Sequence, residues 1–278
     1  MEWTKVLRIA ACWVASACAA VGQEPSPQGG ATGQQAPAVR PDVEAVLQRI
    51  QQAAKDLRSY QCAIDYVLRQ PLLESKTRRT GMVYYVRKPN GSRLRVNFAT
   101  LEQDDGKVQP YMQQFLFDGV WLIDVDYQVK SWEKRQMADA NKPTDAFDLA
   151  GRELPIAGFT GIDELRRDFD MEIVPPPSGQ TGESGGVTLS MKARPGSRYG
   201  KDYRSMAFSI DKAIGLPVKV EAESTEGDFY DISFAQVKVN SPIEDSIFDL
   251  KVPKDFGEPE IIPLEASKGK GIHPTHDR

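Results

Sequence analysis

Hydrophobic and polar positions change their period three times along this chain. In "DVEAVLQRIQQAAKDLRSY" the apolar residues Val43, Val46, Leu47, Ile50, Ala53, Ala54 and Leu57 recur at threes and fours, which predicts an amphipathic helix from Asp42 onward. Asp42 stands where a helix cap is expected, with Pro41 before it. The period then drops to two: Tyr60, Cys62, Ile64, Tyr66 and Leu68 alternate with Gln61, Ala63, Asp65 and Val67. "GMVYYVRKP" and "SRLRVNFATL" continue the strand pattern across a Pro-Asn-Gly turn. In the second of them Leu94, Val96 and Phe98 take one face, and Arg93, Arg95 and Asn97 the other. "QQFLFDGVWLIDVD" predicts a hairpin about Asp118-Gly119 with a type I′ turn, and "QVKSWEKRQ" predicts a further strand.

Between about 143 and 170 the pattern is helical again but short, in "TDAFDLAG" and "GIDELRRDF". Strands resume in "DMEIVP", "GVTLSMKARP", "RSMAFSID", "LPVKVEAEST" and "FYDISFAQVKVN", with a Pro/Gly/Ser loop at 175–186 after the first. The fold class is mainly β (α+β), with ten to eleven antiparallel strands, one N-terminal helix and short helices packed on one face. The last unit, "VKVNSPIEDSIFDLKVP", is a strand ended by Ser241-Pro242, one helical turn, and an aromatic residue, Phe248, that must plug into something.

The two ends depart from this patterning. Residues 1–22 carry Lys5 and Arg8, then an apolar stretch from Ile9 to Val21, then small residues, the order of a secretory signal. Cleavage after Gly22, cleavage after Ala19 and lipid attachment at Cys18 all fit, so the expected protein is exported, free or anchored at Cys18, and the periplasm is the location that the resemblance described below implies. Residues 23–41 are dense in Gln, Pro, Gly and Ala and predict a disordered linker. Residues 257–278 predict a flexible tail, which leaves one domain over 42–256. Cys12 and Cys18 lie in the signal, so if the cut comes after Gly22 only Cys62 remains and no internal disulfide is available. The whole chain carries −4; the signal's Glu2, Lys5 and Arg8 sum to +1, so the remainder carries −5. That balance argues against nucleic acid as a partner.

Candidate chemistry is sparse. The two histidines, His273 and His276, both lie in the tail, so the expected domain has none for a nucleophilic triad or a zinc site, and neither metal nor cofactor is expected. Asp124 and Asp126 lie two apart on a strand and thus share a face, where paired carboxylates could do acid/base work; a solvent face beside a turn is the simpler reading. No Gly-rich loop joins a strand to a helix as phosphate binding requires.

The apolar inventory says more. Val83 and Tyr85, Leu94, Val96 and Phe98, Phe115 and Phe117, Trp121 and Ile123, Phe208 and Ile210, Val218 and Val220, and Phe234 supply candidates on strand after strand. They form either an ordinary core or a cavity that one long helix and several short ones cannot fill, open to an apolar ligand.

The order of motifs resembles the periplasmic outer-membrane lipoprotein carriers, the LolA-like family, whose relatives include the outer-membrane acceptor LolB. The resemblance rests on the amphipathic helix after a signal, on "GMVYYVRKPNGSRLRVNF", and on "FLFDGVWLIDVDYQV" with its Trp-x-x-Asp. It implies an incomplete antiparallel β-barrel with helices as a lid over a hydrophobic cavity. It further implies a monomeric, non-enzymatic carrier of acylated lipoproteins or lipid that receives its cargo from an inner-membrane lipoprotein-releasing transporter and passes it to an outer-membrane acceptor. Under that resemblance Phe248 helps close the barrel. The family has Arg before the Pro as a lid latch; here the position holds Lys88, after Arg87, and lysine lacks the planar fork of donors.

Burying acyl chain is worth ~0.8 kcal/mol per CH₂, on the order of 10 kcal/mol for one long chain, so release needs a cover that competes for the cavity. The lid candidates are Leu47, Ile50 and Leu57 with Phe147, Leu149, Ile162 and Leu165. Two alternatives remain beside the carrier: a binding module on the same fold that senses lipid or envelope stress without transport, and a hydrolase acting through Asp124.

Overall fold

The computed structural model describes residues 41–89, 91–146, 162–174, 186–197 and 199–264. The signal, the linker through Arg40, most of the Pro/Gly/Ser loop and the tail from 265 therefore lie outside the described residues, as do Phe147, Leu149 and the side chain of Ile162.

One twelve-stranded sheet organises the molecule. Its strands are β1 (Ser59–Gln70), β2 (Ser75–Lys88), β3 (Gly91–Gln103), β4 (Gln109–Phe117), β5 (Trp121–Asp126), β6 (Ser131–Gln136), β7 (Phe169–Val174), β8 (Val187–Ala193), β9 (Tyr203–Ile210), β10 (Pro217–Ser224), β11 (Phe229–Val239) and β12 (Glu260–Ile262). The order is β12-β6-β5-β4-β3-β2-β1-β11-β10-β9-β8-β7, antiparallel except for β12, which adds parallel to β6. The sheet is open and does not close on itself. β12 lies in the stretch expected to be tail. Three residues between Pro259 and Pro263 give no alternation to see. β2 begins six residues before the apolar pattern at Gly81, because "SKTRRT" pairs through its backbone with β1 and β3 while presenting mostly polar side chains.

Among the described residues two α-helices lie on one face, here called the inner face: α1 (Pro41–Asp56) and α2 (Ile162–Asp168). Pro41 is inside α1 and Asp42 falls in its first turn, where a carboxylate favours the helix dipole, rather than at the cap. Val43, Leu47 and Ile50 of α1 and Leu165 of α2 join one core cluster with the inward side chains of β1–β4 and β7–β11. Gly215, at φ +70°, lets the β9–β10 turn meet α1: a Cβ there would stand 3.1 Å from that of Ala53. Gly81 sits where β2 and β3 shift register, and a Cβ on it would fall 1.9 Å from the Asn97 carbonyl oxygen.

The hairpin at Asp118 departs from type I′. Only Gly119 has positive φ, and Asp118 Oδ1 accepts from the backbone N–H groups of Val120 (3.0 Å) and Trp121 (2.8 Å), so a carboxylate closes a three-residue turn.

Phe248 does not close a barrel. After β11 the chain crosses the outer face as a strap. Arg95 donates to the carbonyl of Asp249 at 3.5 Å and to that of Ile247. Tyr127 donates to Lys251 O (3.3 Å) and meets the Phe256 ring edge-on, and Trp132 Nε1 donates to Gly257 O (3.0 Å). Phe248 is buried on that outer side, as are Leu116 and Val125, all three outside the main core.

Candidate functional site

Strand register decides which candidates face the helices. Tyr60, Cys62, Ile64, Tyr66 and Leu68 of β1 point inward, and pairing carries that face to Tyr85, Val83 and Gly81 of β2, to Leu94, Val96 and Phe98 of β3, and to Phe117, Phe115 and Gln113 of β4. The other way it passes through Ile232 of β11, with Phe234 beside it, to Val220 of β10 and Phe208 of β9; Val218 lies at a register shift, where Pro217 and not Val218 pairs with Ile210. Eleven of the fourteen candidates thus belong to the inner-face core or pack against it, and Val218 does not. Trp121 and Ile123 do not: they pair with Gln136 and Leu116 and point outward, where Lys134 Nζ lies 5.3 Å from the Trp121 ring centroid. The alternation in "FLFDGVWLID" hid this, because four residues separate the paired Phe117 and Leu122, and an even number sets odd positions of one arm beside even positions of the other.

The upper end of the inner face is tied down. Arg87, whose position in β2 is inward, donates from Nη1 to the carbonyls of Ala54 (3.3 Å) and Lys55 (3.2 Å) at the C-terminus of α1. Its Nε donates to Asp145 Oδ2 at 3.2 Å, and the same carboxylate accepts from Tyr85 OH at 3.2 Å. The guanidinium lies 5.8 Å from the Tyr85 ring centroid. Asn240, at φ +52°, donates to Asp56 O (3.3 Å) and accepts from the N–H of Arg58 (2.7 Å). Ser92 Oγ accepts from Ala146 N–H at 2.6 Å. So the last carbonyls of α1, which a helix leaves without partners, are taken by β2 and by the residue after β11. Lys88 faces the other way and pairs with Asp245 of the strap, both side chains exposed. The two latch candidates therefore act on opposite faces: Arg87 on the helix, Lys88 on the strap. Of the described lid candidates, Leu47, Ile50, Leu57 and Leu165 are buried.

The lower end is built otherwise. Inward positions of β1, β2, β4 and β5 there hold Tyr66, Arg79, Tyr111, Gln113, Asp124 and Asp126. Gln113 Nε2 donates to Asp124 Oδ1 (3.1 Å), Tyr111 OH to Asp126 Oδ2 (2.9 Å), and the Arg79 guanidinium lies 5.7 Å from the Tyr111 ring centroid. Burial pushes the Asp124 carboxyl up to about 7 and the Arg79 guanidinium down to about 10. Asp124 and Asp126 thus share a face as their spacing predicts, but that face is the inner one and not solvent. Tyr66 OH and Gln113 Oε1 are buried with no hydrogen-bond partner, each costing about 1–3 kcal/mol. Tyr66 also lies against Phe98, and Phe98 against Phe115, at edge-on ring separations of 6.4 and 6.3 Å, so aromatic wall and polar foot are continuous.

Below this foot the turns carry apolar groups into solvent. Leu72 is 84% exposed at the β1–β2 turn, with Leu73 beside it; Val108 stands in the β3–β4 turn, Val129 in the β5–β6 turn, and Phe229 begins β11. With Met112 these are six of the seven exposed large apolar residues among the described residues, and all belong to the end opposite Arg87.

Sequence reasoning missed Asp145, Asn240, Tyr66 and Gln113. Asp145 and Asn240 bind backbone from distant segments and leave no local period. Tyr66 and Gln113 were visible as inward positions of alternating strands, but what faces them depends on pairing across five strands.

No family model matches the chain, and no curated protein does. Solved structures that align with it include the Pseudomonas aeruginosa MucA/MucB complex, at 16% identity over 76% of this chain and 61% of that chain, with TM-score 0.46. Mycobacterium tuberculosis lipoprotein LppX aligns at 12% identity over 73% of this chain and 98% of that one, with TM-score 0.43. A Vibrio parahaemolyticus domain named for outer-membrane lipoprotein sorting aligns at 11%, over 74% and 95%, with TM-score 0.35. The chain spans less than two thirds of the MucB chain. These likenesses concern the course of the backbone and extend to no ligand or partner.

Proposed function

We propose that this chain is an exported binding protein that holds the acyl chains of lipoproteins against its inner face and passes them toward the outer membrane. One observation supports it most: among the described residues the apolar inner face extends well beyond α1, the one long helix packed on it. Twelve strands at about 4.8 Å each span roughly 50 Å of sheet, whereas a helix of 16 residues is about 24 Å long. α1 runs from Arg166 of α2, paired with Glu44 at 3.1 Å, to Arg87 of β2, so the aromatic row on β3 and β4, buried though it is, lies beyond the helix.

The energetics suit exchange. Four buried side chains, Val43, Leu47, Ile50 and Leu57, contribute about 1.5–3 kcal/mol each, or about 6–12 kcal/mol together. A long acyl chain gains about the same, at ~0.8 kcal/mol per CH₂. Cover and cargo of similar worth can replace one another with a small net change, which is what loading and release require.

The test is native mass spectrometry of the exported chain, without detergent, after incubation with a triacylated lipopeptide, then with lipid vesicles. A one-to-one adduct that is lost to the vesicles supports a carrier. An adduct that persists with vesicles favours a non-transporting sensor or acceptor. A clean unliganded mass throughout would sink both.

A further inference from the structure

The lower turns have no task in the acyl reading, and what they offer does not depend on it. We infer that this end of the molecule docks on the surface of a zwitterionic lipid bilayer, with Leu72 and Leu73 entering the interface. Residues Pro71–Leu73 form a single 3₁₀ turn between β1 and β2, closed by the Glu74 N–H, which donates to Pro71 O at 3.1 Å. Pro71 and that closure hold the two leucines in place, so little chain entropy is lost when a surface buries them. At 84% and 55% exposure, Leu72 and Leu73 stand clear of the fold.

Neighbouring turns are fixed beside them. Gln70 Nε2 donates to Asp228 Oδ2 at 3.1 Å, which brings up the start of β11; Phe229 is exposed there, with the Arg69 guanidinium 5.8 Å from its ring centroid. On the other side the Asp104 N–H donates to Lys76 O (2.8 Å) and the Lys76 N–H to Asp104 Oδ1 (2.8 Å). The β3–β4 turn, with exposed Val108, is thereby tied to the leucine turn. Apolar groups offered one or two at a time from three linked tips suit a bilayer, which needs no matching pocket.

Two further observations select the lipid. α1 begins at this end: Glu44 in its first turn pairs with Arg166 of α2, and α2 runs straight into Phe169, which pairs with Ala193 of β8. Lys192, beside Ala193, is in register with Ser205, Glu223 and Phe229. The chain that precedes Pro41, with the lipid-attachment candidate Cys18, therefore joins the fold at the end that carries the leucines. In these turns Arg69, Lys76 and Lys107 accompany Glu74, Asp104, Asp105 and the exposed Glu226, three against four, a formal balance of −1. Anionic lipid is drawn to clustered basic residues, so this balance favours a zwitterionic surface.

The experiment places a nitrobenzoxadiazole probe on the unliganded exported chain through Leu72→Cys, and in a second sample through Lys212→Cys, exposed in the β9–β10 turn at the opposite end. Cys62 is buried and does not compete for the label. Phosphatidylcholine vesicles are then added with no acyl ligand present. The expected result is a blue shift of emission and shielding from aqueous iodide at position 72, and neither at position 212. With the probe moved to Val108→Cys, adding Leu72→Ser and Leu73→Ser should raise the lipid needed for half the shift about tenfold. No shift at position 72, or equal shifts at both ends, would overturn the docking surface whether or not the inner face binds acyl chains. A shift seen only with vesicles that contain phosphatidylglycerol would overturn the zwitterionic partner.

Discussion

The two ends of the inner face contrast in how they satisfy their polar groups. At the upper end Arg87, Asn240 and Asp145 join α1, β2 and the segment after β6 through hydrogen bonds that leave the helix terminus complete. At the lower end Tyr66 OH and Gln113 Oε1 are buried without partners, and apolar side chains project from the turns. A molecule that only had to be stable would finish both ends alike. The helix is tied at both termini, to Arg166 through Glu44 and to Arg87 and Asn240 through its last carbonyls, so the polar groups left without partners lie at the foot of the strands and not under the helix.

The largest effect should come from the midline that keeps the two ends in register. Gly81→Ala places a methyl 1.9 Å from the Asn97 carbonyl oxygen, against backbone that cannot move without breaking β2–β3 pairing. It should destabilise the fold by about 3 kcal/mol in urea titration, with both ends affected. Arg87→Ala should cost about 2 kcal/mol and raise amide exchange in α1 more than in β7–β11, because it strips the helix terminus of its partners. Lys88→Ala breaks an exposed pair on the other face and should leave α1 exchange unchanged.

At the foot, pH separates the ends. Burial raises the Asp124 carboxyl from 3.8 to about 7, with Glu133 and Asp126 adding to the rise and Gln113 and Arg135 opposing it. The folded state thus binds that proton more tightly than the unfolded chain. Its contribution is complete below about pH 4 and is lost as pH climbs through about 7. Thermal melts should therefore fall from pH 4 to pH 8 more steeply in the wild type than in Asp124→Asn, where the side chain is neutral throughout. The smallest effect on stability belongs to the turns: Leu72→Ser with Leu73→Ser should leave the urea midpoint unchanged and slow acyl-probe uptake in stopped-flow mixing.

Much of this was legible in the chain, for reasons that differ by element. α1 announced itself because Val43, Leu47 and Ile50 must share a face at a period of 3.6, and nine inner-face strands contribute side chains that alternate at two. Phe248 was visible as a plug, but its socket was not, since Arg95 and Tyr127 reach the strap from strands over a hundred residues earlier. Trp121 and Ile123 went to the wrong face because one turn residue more or less inverts a strand, and only Asp118's own hydrogen bonds fix that number. Asp124 was read as a solvent group because a carboxylate near a turn usually is one; its burial comes from β4, β6 and the width of the sheet.

The central claim is that acyl chain lies on the inner face and not the outer one. Trp121 and Trp132 are both on the outer face, so a tryptophan introduced by Phe115→Trp reports the inner face against an internal control. Fluorescence is measured as a brominated dodecanoyl amide is titrated into the wild type and the variant. The account predicts quenching of the introduced tryptophan with little change in the native pair. Quenching of Trp121 and Trp132 alone would put the ligand on the strap side and contradict it.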